Sequence, residues 1–236
     1  MKAIVELKNA TKVVTNGFNE ERVILDKVNL TIYQGDFITI LGGNGAGKST
    51  LFNVIAGTLP LTSGSVHILG EDVTNWPAEK RAKYLARVFQ DPKMGTSPRM
   101  TVAENLLIAK YRGEGRGLVP RKLSQQIEEF AQLLPRVGNG LEKHLETPAG
   151  LLSGGQRQAL SLLMASLKQP ELLLLDEHTA ALDPKTSQSL MQLTDELITT
   201  KGMTALMVTH QMEDALRHGN RLIVMKKWSD HSGSDC

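Results

Sequence analysis

The sequence has a single cysteine and only a slight excess of basic over acidic side chains. Cys236 is the last of the 236 residues, which excludes a disulfide framework or a thiol–metal cluster within the chain. The 27 basic and 25 acidic residues leave a net charge of +2, so there is no electrostatic case for wrapping nucleic acid. We therefore expect a reducing, cytosolic compartment and no direct nucleic-acid partner.

Long apolar runs are also missing. No stretch reaches the roughly 18 consecutive apolar residues that a membrane-spanning helix needs, and residues 1–6 lack the apolar core of a secretion signal. If the protein acts at a membrane, we expect it to do so through a partner. The length and the hydrophobic content of 41% suit one α/β core with a modest subdomain.

Strand and helix patterns divide the chain into three parts. Residues 4–14 and 23–32 are rich in β-branched side chains that alternate loosely with polar ones, and residues 37–41 are almost wholly apolar, as in a strand covered on both faces. From about residue 91 to 168 the apolar spacing is helical. Strand character returns at 172–175, 204–208 and 221–225. This order predicts a mainly parallel sheet with a helical insertion.

A glycine-rich loop follows the strand at 37–41. It fits the pattern G-x4-G-K-S/T and leads into a helical pattern that Gly57 is placed to cap, which is the context that a phosphate-binding loop requires. Backbone N–H groups and a lysine charge at such a loop bind the phosphates of a nucleoside triphosphate, and Ser49 offers a hydroxyl to Mg²⁺. The residues predicted to hold the triphosphate here are Gly42, Asn44, Gly45, Ala46, Gly47, Lys48, Ser49 and Thr50.

An acid pair follows the leucines at 172–175. The apolar run is short, follows Pro170 and stops abruptly at Asp176 and Glu177, which favours a central strand over a buried helix. Acids at the carboxyl end of a parallel strand face the ligand crevice. We expect Asp176 to complete the Mg²⁺ shell and Glu177 to accept a proton from the attacking water.

A second pair of glycines lies in Leu152-Ser153-Gly154-Gly155-Gln156. Ser153 and Gln156 form an S-x-x-Q capping box, and apolar residues recur at helical spacing from Leu160 to Leu167, so a helix is predicted to begin at Ser153. Gly154 and Gly155 leave the first turn bare, so that an anion can approach its free N–H groups.

The loop at 42–50 and the pentapeptide at 152–156 together are similar to the two halves of the nucleotide site of the ATP-binding cassette (ABC) family, which the chain resembles from end to end. The resemblance implies a P-loop NTPase with a RecA-like α/β core, a small antiparallel β subdomain and an inserted helical subdomain. It also implies one ABC ATPase domain over residues 1–228, divided into a core at 1–90 and 169–228 and helices at about 91–168, with a flexible tail at 229–236.

Further site residues are implied by the resemblance alone. Ser153 and Gly155 would contact the γ-phosphate of ATP held by the opposite subunit, and Gln156 would be a further nucleotide-binding residue of the same helix end. Gln90 would touch Mg²⁺ and the lytic water, and His210 would contact the γ-phosphate. The remaining residues implied are Lys48 as a catalytic cation and Asp183 in the loop that crosses between subunits.

Two positions depart from the family pattern. A tyrosine commonly stacks on adenine where this chain has Val14, and Phe18 is the nearest substitute; a turn residue that packs on the hairpin is the alternative for Phe18. His178 stands where a proline commonly follows the acid pair, which places a titratable group beside the predicted base.

The resemblance implies the ATPase subunit of an ABC transporter. Its expected partners are a membrane permease, a second ATPase subunit in a homodimer and a solute-binding protein, at the cytoplasmic face of the cell membrane. Residues 100–106 resemble those of bacterial importers of amino acids or other small nutrients. The alternative is a soluble ABC-type clamp on nucleic acid or the ribosome, but such proteins carry a long coiled coil or tandem cassettes, and this sequence has neither.

Overall fold

The computed structural model describes residues 1–15, 20–114, 123–136 and 140–226. These ranges contain nine strands and seven α-helices. The strands are β1 Ala3–Thr15, β2 Glu21–Tyr33, β3 Phe37–Gly42, β4 Ser63–Ile68, β5 Glu71–Asp72, β6 Leu85–Val88, β7 Leu172–Asp176, β8 Ala205–Thr209 and β9 Arg221–Met225. The helices are α1 Lys48–Ala56, α2 Ala78–Arg81, α3 Val102–Lys110, α4 Ile127–Leu133, α5 Gly154–Ser166, α6 Pro184–Lys201 and α7 Met212–Arg217.

The strands form two sheets. β1 pairs antiparallel with both β2 and β4 in a four-stranded sheet of order β2-β1-β4-β5. The other sheet is parallel throughout and has the order β6-β7-β8-β3-β9. Strands at 37–41, 172–175, 204–208 and 221–225 are thus confirmed, each within a residue or two of the predicted bounds.

β7 separates two hydrophobic cores. Leu172 and Leu174 point into a core that contains α1 and the inner face of the antiparallel sheet, whereas Leu173 and Leu175 point into a core formed with α3, α5 and α6. All four leucines are fully buried. A strand covered on both faces needs a continuous apolar run rather than an alternating one, which explains the composition of residues 172–175.

The helical stretch between β6 and β7 contains α3, α4 and α5, joined by short 3₁₀ turns. α3 begins with a capping box between Thr101 and Glu104, and α5 packs against α3, α6 and β6. Leu106, Phe130 and Leu160 are fully buried where these helices meet. No helix in the described part of the chain is long and apolar enough to cross a bilayer.

Candidate nucleotide site

The predicted site residues meet because four neighbouring parallel strands end at one edge of the sheet. In the order β6, β7, β8, β3, these strands lead into Gln90 (separated from the end of β6 by one residue), Glu177, His210 and the glycine loop. The register keeps the strand ends level, since Asp176 lies opposite Val208 in the neighbouring strand. This edge of an open α/β sheet is where ligand crevices form.

The glycine loop connects β3 to α1 without a side-chain cap. Gly47 is the N-cap residue of α1 with φ 93°, in the left-handed region where a side chain is strained, and it makes no side-chain cap hydrogen bond. At Gly42 a Cβ atom would lie 2.6 Å from the carbonyl oxygen of Met225. The loop therefore requires glycine at both positions, and the N–H groups at the start of α1 remain available to an anion.

Lys48 is the first residue of α1, and only 6% of it is exposed. Its Nζ donates hydrogen bonds to the carbonyl oxygens of Gly42, at 2.5 Å, and Gly43, at 3.2 Å. These bonds hold the ammonium group against the loop. A phosphate group in the loop would therefore find a buried cation already in place.

Three side chains surround the carboxylate of Glu177. Lys48 Nζ lies 4.0 Å from Oε1, Gln90 Nε2 donates to Oε2 at 3.3 Å, and His210 Nδ1 lies 3.6 Å from Oε2. Glu177 has φ 43°, a left-handed conformation that is uncommon for residues other than glycine and is found at functional sites. The arrangement places one carboxylate among a cation, an amide and an imidazole.

A cavity of about 450 Å³ lies between the loop and the acid pair. Its walls are Arg22, Ile24, residues 43–50, Gln90, Asp176 and Glu177. Ser49, Gln90 and Asp176 thus share one cavity and supply a hydroxyl, an amide oxygen and a carboxylate, the hard oxygen donors that Mg²⁺ prefers. The donor set fits this ion, and the described residues offer no cluster of three His, Cys, Asp or Glu that would suggest another metal.

Asp176 lines the cavity and is also paired with an arginine. Its Oδ2 forms an ion pair with Nη2 of Arg87, the third residue of β6. Arg87 Nη1 also donates to Asn53 Oδ1 of α1 at 2.7 Å. Sequence analysis did not predict this contact. The charge of Arg87 within an otherwise apolar strand could have indicated it.

The pentapeptide at 152–156 begins α5 as predicted. Ser153 Oγ accepts from Gln156 N at 3.2 Å, and Gln156 Oε1 accepts from Ser153 N at 3.1 Å, which confirms the capping box. None of these five residues is among the described residues that line the nucleotide cavity. Within one chain, the structure therefore keeps this helix end apart from the glycine loop.

Gly155 has a packing role that the sequence did not reveal. A Cβ atom there would lie 2.4 Å from Cγ2 of Thr186, in the first turn of α6. Asp183 caps that helix, because its Oδ1 accepts from Thr186 N at 3.1 Å. Hydrogen bonds from the Thr186 hydroxyl, and then from its N–H, lower the pKa of Asp183. The ends of α5 and α6 are thus fitted closely together.

His178 follows Glu177 in the chain, but its side chain is buried against α6. The side chain is 2% exposed, and Nε2 lies 3.0 Å from Oγ1 of Thr194 in α6. Thr194 donates its own proton to the carbonyl of Leu190, so Nε2 is the donor to Thr194. Burial lowers the pKa of His178 to about 4, and the imidazole is neutral at physiological pH.

Phe18, the candidate for adenine stacking, lies outside the described residues. Arg22 and Ile24 of β2 line the cavity nearby. The stacking assignment stays a prediction.

Residues 25–180 match the family described as ABC transporter. Over 95% of its length the chain is 43% identical to the tyrosine transport ATP-binding protein of Clostridioides difficile, 89% of which is covered. It is 38% identical to the spermidine/putrescine import ATP-binding protein PotA of Haemophilus ducreyi, with 95% of the chain aligned to 56% of that relative. The chain belongs to the ABC transporter family.

Solved structures agree with this assignment. A dimeric bacterial ABC transporter cassette superposes with a TM-score of 0.79 at 29% identity, and 95% of each chain is covered. A dimeric cassette in a post-hydrolysis state, bound to ADP and Pi, gives a TM-score of 0.74 at 34% identity, again over 95% of each chain. The P-loop NTPase fold is therefore confirmed, and this ABC cassette binds and hydrolyses ATP.

Proposed function

We propose that this ABC cassette powers the import of an amino acid through a separate membrane permease at the cytoplasmic face of the membrane. The relative named for tyrosine transport is 43% identical over nearly its whole length, whereas the polyamine-import relative is 38% identical over little more than half of its own. An aromatic amino acid such as tyrosine is the cargo that this difference favours. The permease and a solute-binding protein, rather than the cassette, select the cargo.

The observation that supports the proposed chemistry is the placement of Glu177 among Lys48, Gln90 and His210. Glu177 is the general base, since its carboxylate lies at the mouth of the phosphate loop and accepts the proton of the attacking water. Gln90 orients that water, and Lys48 and His210 stabilise charge on the γ-phosphate. His210 is half exposed and becomes fixed when nucleotide and a second subunit close over it.

Ser49, Gln90 and Asp176 are the residues that would hold Mg²⁺. Gln90 uses its amide nitrogen towards Glu177, which leaves its amide oxygen for the metal. When bound, the ion neutralises charge on the β- and γ-phosphates.

The second half of the site comes from another copy of the chain. Because residues 152–156 do not line the cavity formed by the glycine loop, one chain leaves the γ-phosphate open on one side. Gly155 of the second copy closes it with its backbone N–H, Ser153 and Gln156 contribute side-chain groups, and Asp183 crosses the interface. A symmetric homodimer then encloses two ATP molecules.

The permease would dock in a groove of about 860 Å³ between the parallel sheet and the helices. Its walls include Phe89, which precedes Gln90, and the apolar side chains of Met94 and Ile108, which are 69% and 47% exposed. A helix or loop of the permease that presses on this groove would displace the segment that holds Gln90. This proximity connects movement of the permease to hydrolysis.

A reconstitution experiment tests the proposal. The cassette and its co-purifying permease are placed in proteoliposomes with internal Mg-ATP, and uptake of labelled tyrosine is compared with uptake of labelled spermidine. Tyrosine uptake that disappears with Glu177→Gln supports the proposal, and spermidine uptake without tyrosine uptake contradicts the cargo assignment.

Paired isoleucine variants test the docking groove. Ile108→Glu places a charge in the groove, whereas Ile127→Glu makes the same change on α4, where the side chain is 36% exposed and does not line the groove. We expect Ile108→Glu alone to lose the permease on purification while it keeps ATP binding. Equal retention of the permease by both variants would place the docking surface elsewhere.

A further inference from the structure

Arg87 is a charged residue within an apolar strand of the parallel sheet. Its neighbours Ala86 and Val88 are buried in one core, and Leu85 is buried in the other. β6 and β7 are adjacent and parallel, with Arg87 in register with Leu174. Side chains alternate along a strand, so Arg87 projects from the same face of the sheet as Leu174 and Asp176, two residues further along β7.

The guanidinium group is held from several sides. It forms the ion pair with Asp176, donates to Asn53 at 2.7 Å, and its central carbon lies 4.8 Å from the ring centroid of Phe89. The side chains of Arg87 and Asp176 are each only 15% exposed. Arg87 Nε is buried without a hydrogen-bond partner among the described residues. The guanidinium group is thus oriented for the ion pair with Asp176, although this orientation leaves one of its N–H groups unpaired. Little water screens this pair.

We propose that Arg87 is a positioning residue that competes with Mg²⁺ for the carboxylate of Asp176 and so sets the Mg²⁺ concentration that nucleotide binding requires. The inference rests on the proposed assignment of Asp176 to the Mg²⁺ site. A carboxylate already neutralised by a guanidinium attracts a divalent cation less strongly than a free one.

The test is a Mg²⁺ titration of nucleotide binding. A fluorescent, non-hydrolysable ATP analogue is added to the full chain at fixed concentration, and the Mg²⁺ concentration at half-maximal binding is measured. Arg87→Met, which removes the charge but keeps much of the side-chain length, should lower this concentration at least threefold. Arg87→Lys should stay within twofold of wild type, because the charge is kept.

Arg22→Met is the matched control. Arg22 lines the same cavity, near Gly45, but lies on β2 and has no ion pair with Asp176. Its removal should change analogue affinity by a similar factor with and without Mg²⁺, and leave the half-maximal Mg²⁺ concentration within twofold of wild type.

The background variant Asp176→Asn separates the inference from the function on which it rests. In that background Arg87→Met should have no effect on the Mg²⁺ midpoint, because the shared carboxylate is gone. An unchanged midpoint in Arg87→Met with Asp176 present would overturn the inference while leaving the Mg²⁺ site intact. If Asp176→Asn itself leaves the midpoint at the wild-type value, the metal assignment fails and the inference falls with it.

Folding is checked by circular dichroism and thermal melting without nucleotide. Arg87→Met and Asp176→Asn should each melt below wild type, since breaking one side of a buried ion pair leaves the other charge uncompensated. If Arg87→Met does not fold, Arg87→Gln removes the charge while it keeps a donor for Asn53. The same threefold fall of the midpoint is expected for it, and its absence would refute the competition.

Discussion

The contact between Gly155 and Thr186 gives a prediction whose size follows from the structure. In Gly155→Ala the new Cβ would lie 2.4 Å from Cγ2 of Thr186, while the Cβ and Oγ1 atoms of Thr186 would be 3.7 and 3.8 Å away. Only the methyl group clashes. Thr186→Ser removes that methyl and keeps the hydroxyl that bonds to Asp183, so the double variant should accommodate the alanine.

The magnitude comes from two opposing terms. Overpacking of this kind costs about 1–3 kcal/mol, and the alanine regains roughly 0.5–1 kcal/mol that glycine loses within a helix. Gly155→Ala should therefore destabilise the cassette by about 0–2.5 kcal/mol. The coupling energy between the two substitutions should be about 1–3 kcal/mol, or roughly 2–12 °C in melting temperature for a chain of this size.

The assay is chemical and thermal unfolding of four proteins: wild type, each single variant and the double variant. If Gly155→Ala is equally destabilising with threonine or serine at position 186, the packing argument is wrong. ATP-dependent dimerisation of the same proteins separates packing from nucleotide contact. A double variant that regains stability but not dimerisation would show that the bare helix turn also matters for the γ-phosphate.

Further outcomes are expected for variants of the site residues, for added nucleotide and for changes of pH. Glu177→Gln should abolish steady-state hydrolysis but keep ATP binding, and a rate within a few-fold of wild type would refute its role as base; Lys48→Ala should instead weaken ATP binding itself. Saturating Mg-ATP, at 100 times its Kd, should raise the melting temperature by roughly 5–11 °C. Light scattering of Glu177→Gln should show a dimer that forms only with Mg-ATP. A second substitution in the same chain, Ser153→Arg, should prevent this dimer. His178 has a folded-state pKa of about 4 against an ordinary 6.5, so the free energy of unfolding falls as the pH drops below 6.5, by about 2 kcal/mol at pH 5. In His178→Gln the side chain does not titrate, so the free energy of unfolding, measured by urea titration over the same pH range, should fall less.

Much of the nucleotide site could be predicted because its signals are local. The glycine loop at 42–50 lies between a strand and a helix that the apolar pattern already indicated, and the acid pair at 176–177 ends a strand of four leucines. The capping box at Ser153 involves only residues three positions apart. Backbone conformation, hydrogen bonds to the next turn and burial of a whole strand all act over a few residues, which a sequence pattern records directly.

Other features could not be predicted because they depend on contacts between distant segments. Arg87 and Asp176 are 89 positions apart and meet only because β6 and β7 are neighbours in the sheet. His178 adjoins the acid pair in sequence, yet its ring is buried against α6. The division into a core and a helical subdomain, and the role of Phe18, stay predictions.

The amino-acid sequence by itself determined the family, the class of ligand and the order of strands and helices, since each depends on short motifs and on the periodicity of apolar residues. The tertiary structure alone decided which side chains surround Glu177, which cation neutralises Asp176 and why Gly155 carries no side chain. The contacts of Glu177 and Asp176 follow from the strand order β6-β7-β8-β3, which differs from the order in the chain, whereas the contact of Gly155 follows from the packing of α5 against α6. Packing brings together residues that no local pattern connects, and burial then fixes their partners and charge states.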